Sequence, residues 1–215
     1  LLAGRYGSDG RGGHRSCGRV WRRGFADPER SVCERGSTAH EHQDRTVEAG
    51  DLKPHTVIAG SGKMARNIGL LFLRHGYAVT WTSRDVDACN EAFTAHMRRD
   101  LRRLARSIPE IDTTPPALRS PRDPTIPPAQ IVVESTVESL AAKHAMLGQL
   151  NPLISEDTLL LSNSSSLLPA SIHPRCVGFH FFYPIQLSGV VELITPPSVR
   201  AVDMQKIQQL LTQMG

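Results

Sequence analysis

Gly60-Ser61-Gly62-Lys63-Met64-Ala65 reads G-x-G-x-x-A, and its surroundings leave the chain few folds to adopt. A short apolar run, Thr56–Ala59, precedes the first glycine. A helical pattern follows from Lys63 to His75, with Met64, Ile68, Leu71 and Phe72 at helical spacing. Gly76 stops that helix, and Ala78–Thr82 is a second apolar run with Val79 and Trp81 at strand spacing. Strand, glycine turn, helix, glycine, strand is a βαβ unit, the building block of a parallel sheet. In that setting each residue of the motif has a physical task. Gly60 makes the tight turn, Gly62 lets backbone approach a pyrophosphate, and Ala65 lets helix and strand pack closely. The N–H groups at Lys63 and Met64 open the helix and face an anion with its positive end.

The pattern continues downstream. A long helix is predicted from Asp87 to about Ser107, then a connector from Pro109 to Pro128, because Pro115-Pro116 and Pro127-Pro128 exclude helix interior and central strand. Strands are predicted at Ile131–Glu134, Thr158–Leu161, Val177–Phe179 and Val190–Ile194, with helices from about Glu138 to Leu150 and from Asp203 to Gln213. The fold class is α/β, a Rossmann-like, doubly wound, mostly parallel sheet over residues 51–215. Residues 1–50 hold nine glycines and scattered arginines, with neither strand nor helix periodicity, and are expected to be a disordered tail.

Composition removes several functions. The net charge of +4 is spread thinly: nine arginines face seven acids up to Gly50, and sixteen basic groups face fourteen acids beyond it. Aromatic residues make up 5% of the chain, too few for a base-stacking surface, so no nucleic-acid partner is expected. No apolar run is long enough for a membrane span. Cys17, Cys33, Cys89 and Cys176 show neither paired nor regular spacing, so no metal site is expected and a reducing cytoplasm suits the chain.

The end of the second strand bears on the cofactor. An acid there commonly holds the ribose 2′-hydroxyl of NAD, but the position falls on Ser83, followed by Arg84. A hydroxyl and a guanidinium suit a 2′-phosphate, which favours NADP over NAD; the alternative is that Asp85, two residues on, serves as the acid.

Four further motifs carry a resemblance. Val132-Val133-Glu134-Ser135-Thr136-Val137-Glu138-Ser139-Leu140-Ala141-Ala142-Lys143 is similar to V-V-E-A-x-x-E-x-L-x-x-K, and Ser162 to Leu167 to S-N-T-S-S-L. Gly178-Phe179-His180-Phe181-Phe182-Tyr183-Pro184 is similar to G-x-H-F-F-N-P, and Val190 to Ile194 to L-V-E-V-I. In this order, from residue 56 onward, the chain resembles the 3-hydroxyacyl-CoA dehydrogenase family.

The resemblance implies exchange of hydride between a 3-hydroxyacyl thioester and NAD or NADP, in fatty acid metabolism, with His180 as general base and Glu192 orienting it. An imidazole titrates in the range needed to take a hydroxyl proton, and a carboxylate fixes its tautomer. By the same resemblance Ser165 contacts the substrate's 3-oxygen, and Glu138 and Lys143 line the nicotinamide site, although helix capping and surface charge would also account for these two. Arg98, Arg102 and Arg106 share one face of the long helix, which is either a solvated face, a site near CoA phosphates or a landing place for an acyl carrier protein. Tyr183 departs from the family, which has Asn there, and is expected beside the substrate. The family's C-terminal helical domain, which carries homodimer contacts, is expected to be absent from this chain. Alternatives are a non-catalytic nucleotide-binding relative and a same-fold dehydrogenase of another hydroxy acid.

Overall fold

The structure, a computed structural model, describes residues 18–22 and 53–214. In chain order the elements are β1 (Gly18–Arg22), β2 (Lys53–Ala59), α1 (Lys63–Arg74), β3 (Tyr77–Thr82) and α2 (Val86–Leu104), followed by β4 (Ile131–Glu134) and α3 (Leu140–Leu150). They continue as β5 (Leu159–Ser162), α4 (Pro169–Ile172), β6 (Val177–Phe181), α5 (Ile185–Ser188), β7 (Val190–Ile194) and α6 (Ala201–Met214).

The strands form one seven-stranded sheet in the order β1-β7-β6-β5-β4-β2-β3. Its body, from β3 to β6, is parallel, and β7 and β1 close the far edge antiparallel. Alternation along the strands supplies both faces. Ile58, Val133 and Leu161 point into the cluster formed with Ile68 and Phe72 of α1, Phe93 and Met97 of α2 and Ile207 of α6. Val57, Val132 and Leu160 point the other way, onto Met146 and Leu150 of α3. A parallel sheet with helices on both faces needs such continuous apolar strands, and β4 and β5 are buried along their whole length.

The chain leaves β2 through α1 to β3 on one side, while β4 lies on the other side of β2. This reversal opens a crevice at the carboxyl ends of β2 and β4, where open α/β sheets bind ligands. There the Ser135 N–H donates to the Ala59 carbonyl at 2.9 Å, pinning the two strand ends together.

Two predictions change. Part of the expected tail, Gly18–Arg22, is an edge strand paired in register with Val190–Ile194. Edge pairing runs through backbone groups, so five residues can join a ladder with no helical or alternating signature. The rest of residues 1–50 lies outside the described residues. In addition, α4 and α5 were not expected; each spans four residues, with Pro169 opening α4 and Pro184 at the N-cap of α5. No helix among the described residues is long and apolar enough to cross a membrane.

Candidate active site

The glycine turn heads the crevice. Gly60 has φ +140°, and a Cβ there would overlap the Ser135 carbonyl oxygen, so only glycine fits. Gly62 is the N-cap of α1 and makes no side-chain cap, while the space beside its Cα is open to the cleft. The first N–H groups of α1 are therefore free to meet an anion. Ala65 is fully buried, and its carbonyl accepts the indole N–H of Trp81 at 3.1 Å, which joins α1 to β3. Met64 lines the cleft, as does Lys63, whose Nζ lies 3.5 Å from the centroid of the Tyr183 ring.

The cleft encloses about 800 Å3 and runs from Ser83 and Arg84 at one end, past Gly60 and Gly62, to Glu138, Ser165 and His180 at the other. At the first end Ser83 is nearly buried, and the Asp85 carboxylate accepts the Ala88 N–H at 3.0 Å as the N-cap of α2. Asp85 thus has a structural use, while Arg84 lines the cleft with no hydrogen bond or ion pair to the other described residues. A dinucleotide fits this donor set: free N–H groups at a glycine-lined turn, a guanidinium at one end and a proton acceptor at the other.

At the far end His180 on β6 and Glu192 on β7 are register partners, with Nδ1 3.1 Å from Oε2. The imidazole is 17% exposed and lines the cleft, and the Glu192 contact engages Nδ1, not Nε2. The backbone N–H of Phe181, beside it, donates to Asn163 Oδ1 at 2.9 Å, and the Asn163 N–H donates to the Glu134 carbonyl at 2.8 Å. Asn163 therefore ties the ends of β4, β5 and β6 together.

Glu138 clasps the serine turn that follows β5. Its Oε1 accepts from the Ser164 hydroxyl at 2.6 Å, the Ser165 N–H at 3.1 Å, and the N–H and hydroxyl of Ser166 at 2.9 Å each. Burial raises the Glu138 pKa, but the Ser164 hydroxyl, the Ser166 donors and the Lys143 ammonium outweigh it and hold the carboxyl at about 2. Ser165 itself is exposed on the cleft wall.

Three residues stand elsewhere than predicted. Lys143 does not line the cleft: it is 1% exposed, between Glu134 at 2.9 Å and Glu138 at 3.3 Å, because its stem is covered by the core beneath α3. Arg98 and Arg102 lie on α2 away from the cleft, in a depression that Arg99, Arg103 and Arg106 also line. A second cavity, about 760 Å3, lies between α1 and α2 and takes Arg66, Arg74, Arg99 and Arg103 with the apolar Leu70. Lys63 and Tyr183 line both spaces and form the wall between them. Arg66 is 8% exposed; its Nε lies 3.7 Å from an Asp100 oxygen, and its guanidinium donates to the Ser61 carbonyl at 3.3 Å.

Sequence reasoning passed over Glu134, Asn163 and Arg66. The signal for Glu134 was available, since a lone acid closes an otherwise apolar strand. Arg66 carried none, because its burial depends on how α2 crosses α1.

The family model for the 3-hydroxyacyl-CoA dehydrogenase NAD binding domain matches residues 55–215. The 3-hydroxyadipyl-CoA dehydrogenase of Escherichia coli is 26% identical over 168 residues, 74% of this chain and 35% of that enzyme. The curated relatives it matches are much longer, the chain spanning 13% to 35% of them. Among solved structures, the (S)-3-hydroxybutyryl-CoA dehydrogenase of Ralstonia eutropha superimposes with a TM-score of 0.63 at 23% identity, over 75% of this chain and 61% of that one. A diketoreductase superimposes with a TM-score of 0.65 at 18% identity, over 75% of this chain and 62% of that one. These superpositions are likenesses of fold.

Proposed function

The chain belongs to the 3-hydroxyacyl-CoA dehydrogenase family through its NAD-binding domain, and from that premise we propose that it serves reversible oxidation of a 3-hydroxyacyl thioester to the 3-oxoacyl thioester. The observation that carries this reading is the His180–Glu192 pair opening onto the same cleft as the Gly60–Gly62 turn. A nicotinamide dinucleotide, when bound, supplies the hydride acceptor. The free N–H groups of α1 hold its pyrophosphate, and Ser83 and Arg84 take the adenosine end, which favours a 2′-phosphate and hence NADP over NAD.

His180 performs the proton half of the reaction. Glu192 keeps a proton on Nδ1, leaving the Nε2 lone pair free for the substrate's 3-hydroxyl. As that O–H bond breaks, the proton passes to Nε2 and the Glu192 carboxylate stabilises the resulting imidazolium. Ser165, whose backbone N–H donates to Glu138, offers its hydroxyl to the same oxygen, and Tyr183 bounds the substrate's side of the cleft.

The second cavity suits the phosphate end of the thioester. Four arginines line it with a single carboxylate, Asp100, which pairs with Arg66 at 3.7 Å and with Arg99 at 3.4 Å, so positive charge is in excess there. This moves the expected thioester contact from Arg98 and Arg102 to Arg66, Arg99 and Arg103. A CoA thioester is the favoured substrate, since a basic groove between two helices suits a compact polyphosphate better than a protein surface; the exposed Arg98–Arg102 face is where an acyl carrier protein would dock. The uneven cysteine spacing supports a reducing cytoplasm as the whole protein's setting, and the family resemblance supports a homodimer. Titration of the chain with NADH, NADPH and CoA, alongside absorbance assays of acetoacetyl-CoA reduction, tests the reading. Failure to bind either dinucleotide overturns it.

A second reading, dinucleotide binding without turnover, draws on Tyr183, whose ring holds Lys63 where the family has Asn. Dinucleotide binding with no reduction of acetoacetyl-CoA or an acyl carrier thioester favours it.

A further inference from the structure

Glu134 closes β4, and none of it is exposed. Its carboxylate meets Lys143 Nζ at 2.9 and 3.1 Å, accepts from the Ser162 hydroxyl at 2.7 Å, and accepts from the N–H and hydroxyl of Thr136 at 2.7 and 2.5 Å. Stability alone is a poor reason to keep such a group. Desolvating both charges offsets their attraction, and a well-packed apolar pair of similar volume generally serves a core as well.

What distinguishes the pair is where it leads. Lys143 is also 3.3 Å from Glu138 Oε2, and the other Glu138 oxygen gathers the Ser164–Ser166 turn. The backbone of Glu134 adds a second line, since its carbonyl holds Asn163, which in turn holds the Phe181 N–H beside His180. Both lines end on the half of the cleft that is remote from Ser83 and Arg84.

Building on the dehydrogenase reading, we propose that Glu134 is a positioning residue for the nicotinamide end of the cleft, acting through Lys143 and Glu138 on the turn that carries Ser165. One ammonium between two carboxylates makes the arrangement sensitive to charge. Without the Glu134 charge, Lys143 is drawn to Glu138 alone, and Glu138 shifts its hold on the serine turn. The glycine turn and the adenosine end lie outside this network.

The test compares two ligands on the full chain: a reduced dinucleotide (NADH or NADPH) and its fragment lacking nicotinamide (ADP-ribose or 2′-phospho-ADP-ribose). Glu134→Gln keeps the shape and removes the charge. It is expected to weaken the dinucleotide about tenfold, the cost of one charge-assisted contact, while fragment affinity holds steady. General disruption of the fold would move both ligands together, and equal weakening overturns the proposal. The double variant Glu134→Gln/Lys143→Met guards against an uncompensated buried lysine. It should recover the thermal midpoint without recovering the ratio of the two affinities; recovery of both overturns the proposal by reducing Glu134 to charge balance. Equal binding of dinucleotide and fragment to the unmodified chain also overturns it. Binding of neither ligand instead strikes the dehydrogenase reading on which it rests.

Discussion

His180 and Glu192 are twelve residues apart in sequence and directly opposite in space, paired across β6 and β7 with Nδ1 3.1 Å from Oε2. The antiparallel register fixes this geometry, so the imidazole's orientation is a property of the sheet. General base catalysis by a positioned side chain contributes about 10²–10⁴ in rate, so His180→Ala should cut acetoacetyl-CoA reduction by that order. Dinucleotide affinity should stay within twofold or so, because the imidazole lies beyond the pyrophosphate site. Wild-type turnover in this variant would remove His180 as the base.

At the opposite end, Arg84 lines the cleft with no partner among the described residues. Loss of a charge-assisted contact costs about 1.5–3 kcal/mol, so Arg84→Ala should weaken NADPH by roughly that amount and leave NADH unaffected. Calorimetric titration of both cofactors decides it. If NADH binds the unmodified chain more tightly, the preference for NADP is wrong.

Much of the architecture was legible because its signals are local. The G-x-G-x-x-A turn, the positive-φ Gly76 and the apolar run Ile131–Val133 each dictate their conformation from neighbouring residues. Elements whose reason is remote were not legible. Gly18–Arg22 joins the sheet only because β7 offers a free edge. Lys143 looks like a surface residue until α3 is laid over β4, when its ammonium meets two carboxylates. The arginines of α2 were assigned by helical spacing, which says which ones share a face but not which face meets α1. Arg99 and Arg103 line that groove as well as the depression beside it, whereas Arg98 and Arg102 line the depression alone.

Gly60 offers a backbone test. Its φ of +140° is strained for any other residue, and a Cβ would strike the Ser135 carbonyl. Gly60→Ala should therefore lower unfolding stability by at least about 1–3 kcal/mol in a denaturant titration. Dinucleotide affinity should fall with it, since the turn shapes the pyrophosphate site. An unchanged midpoint would mean that the two strand ends separate easily.

The last expectation concerns pH and Glu138. Burial pushes its carboxyl up, but the Ser164 and Ser166 donors and Lys143 together outweigh that and hold it at about 2, below the ordinary value near 4.5. A depressed carboxylate stabilises the fold fully above its unfolded pKa, and that contribution disappears as pH falls through the folded value. The window thus runs from about 4.5 down to about 2. Glu138→Gln removes the titrating group while retaining one amide oxygen to accept from the serine turn. At neutral pH the variant should melt below the unmodified chain, and the gap should narrow through that window as the native carboxyl takes up its proton. The contribution is moderated by solvent, since the Glu138 side chain is 36% exposed. Thermal midpoints of both proteins, taken at several pH values from neutral to about 3, provide the comparison. A gap that stays constant across the window would show that Glu138 titrates as an ordinary carboxyl and that the serine turn is held by its backbone alone.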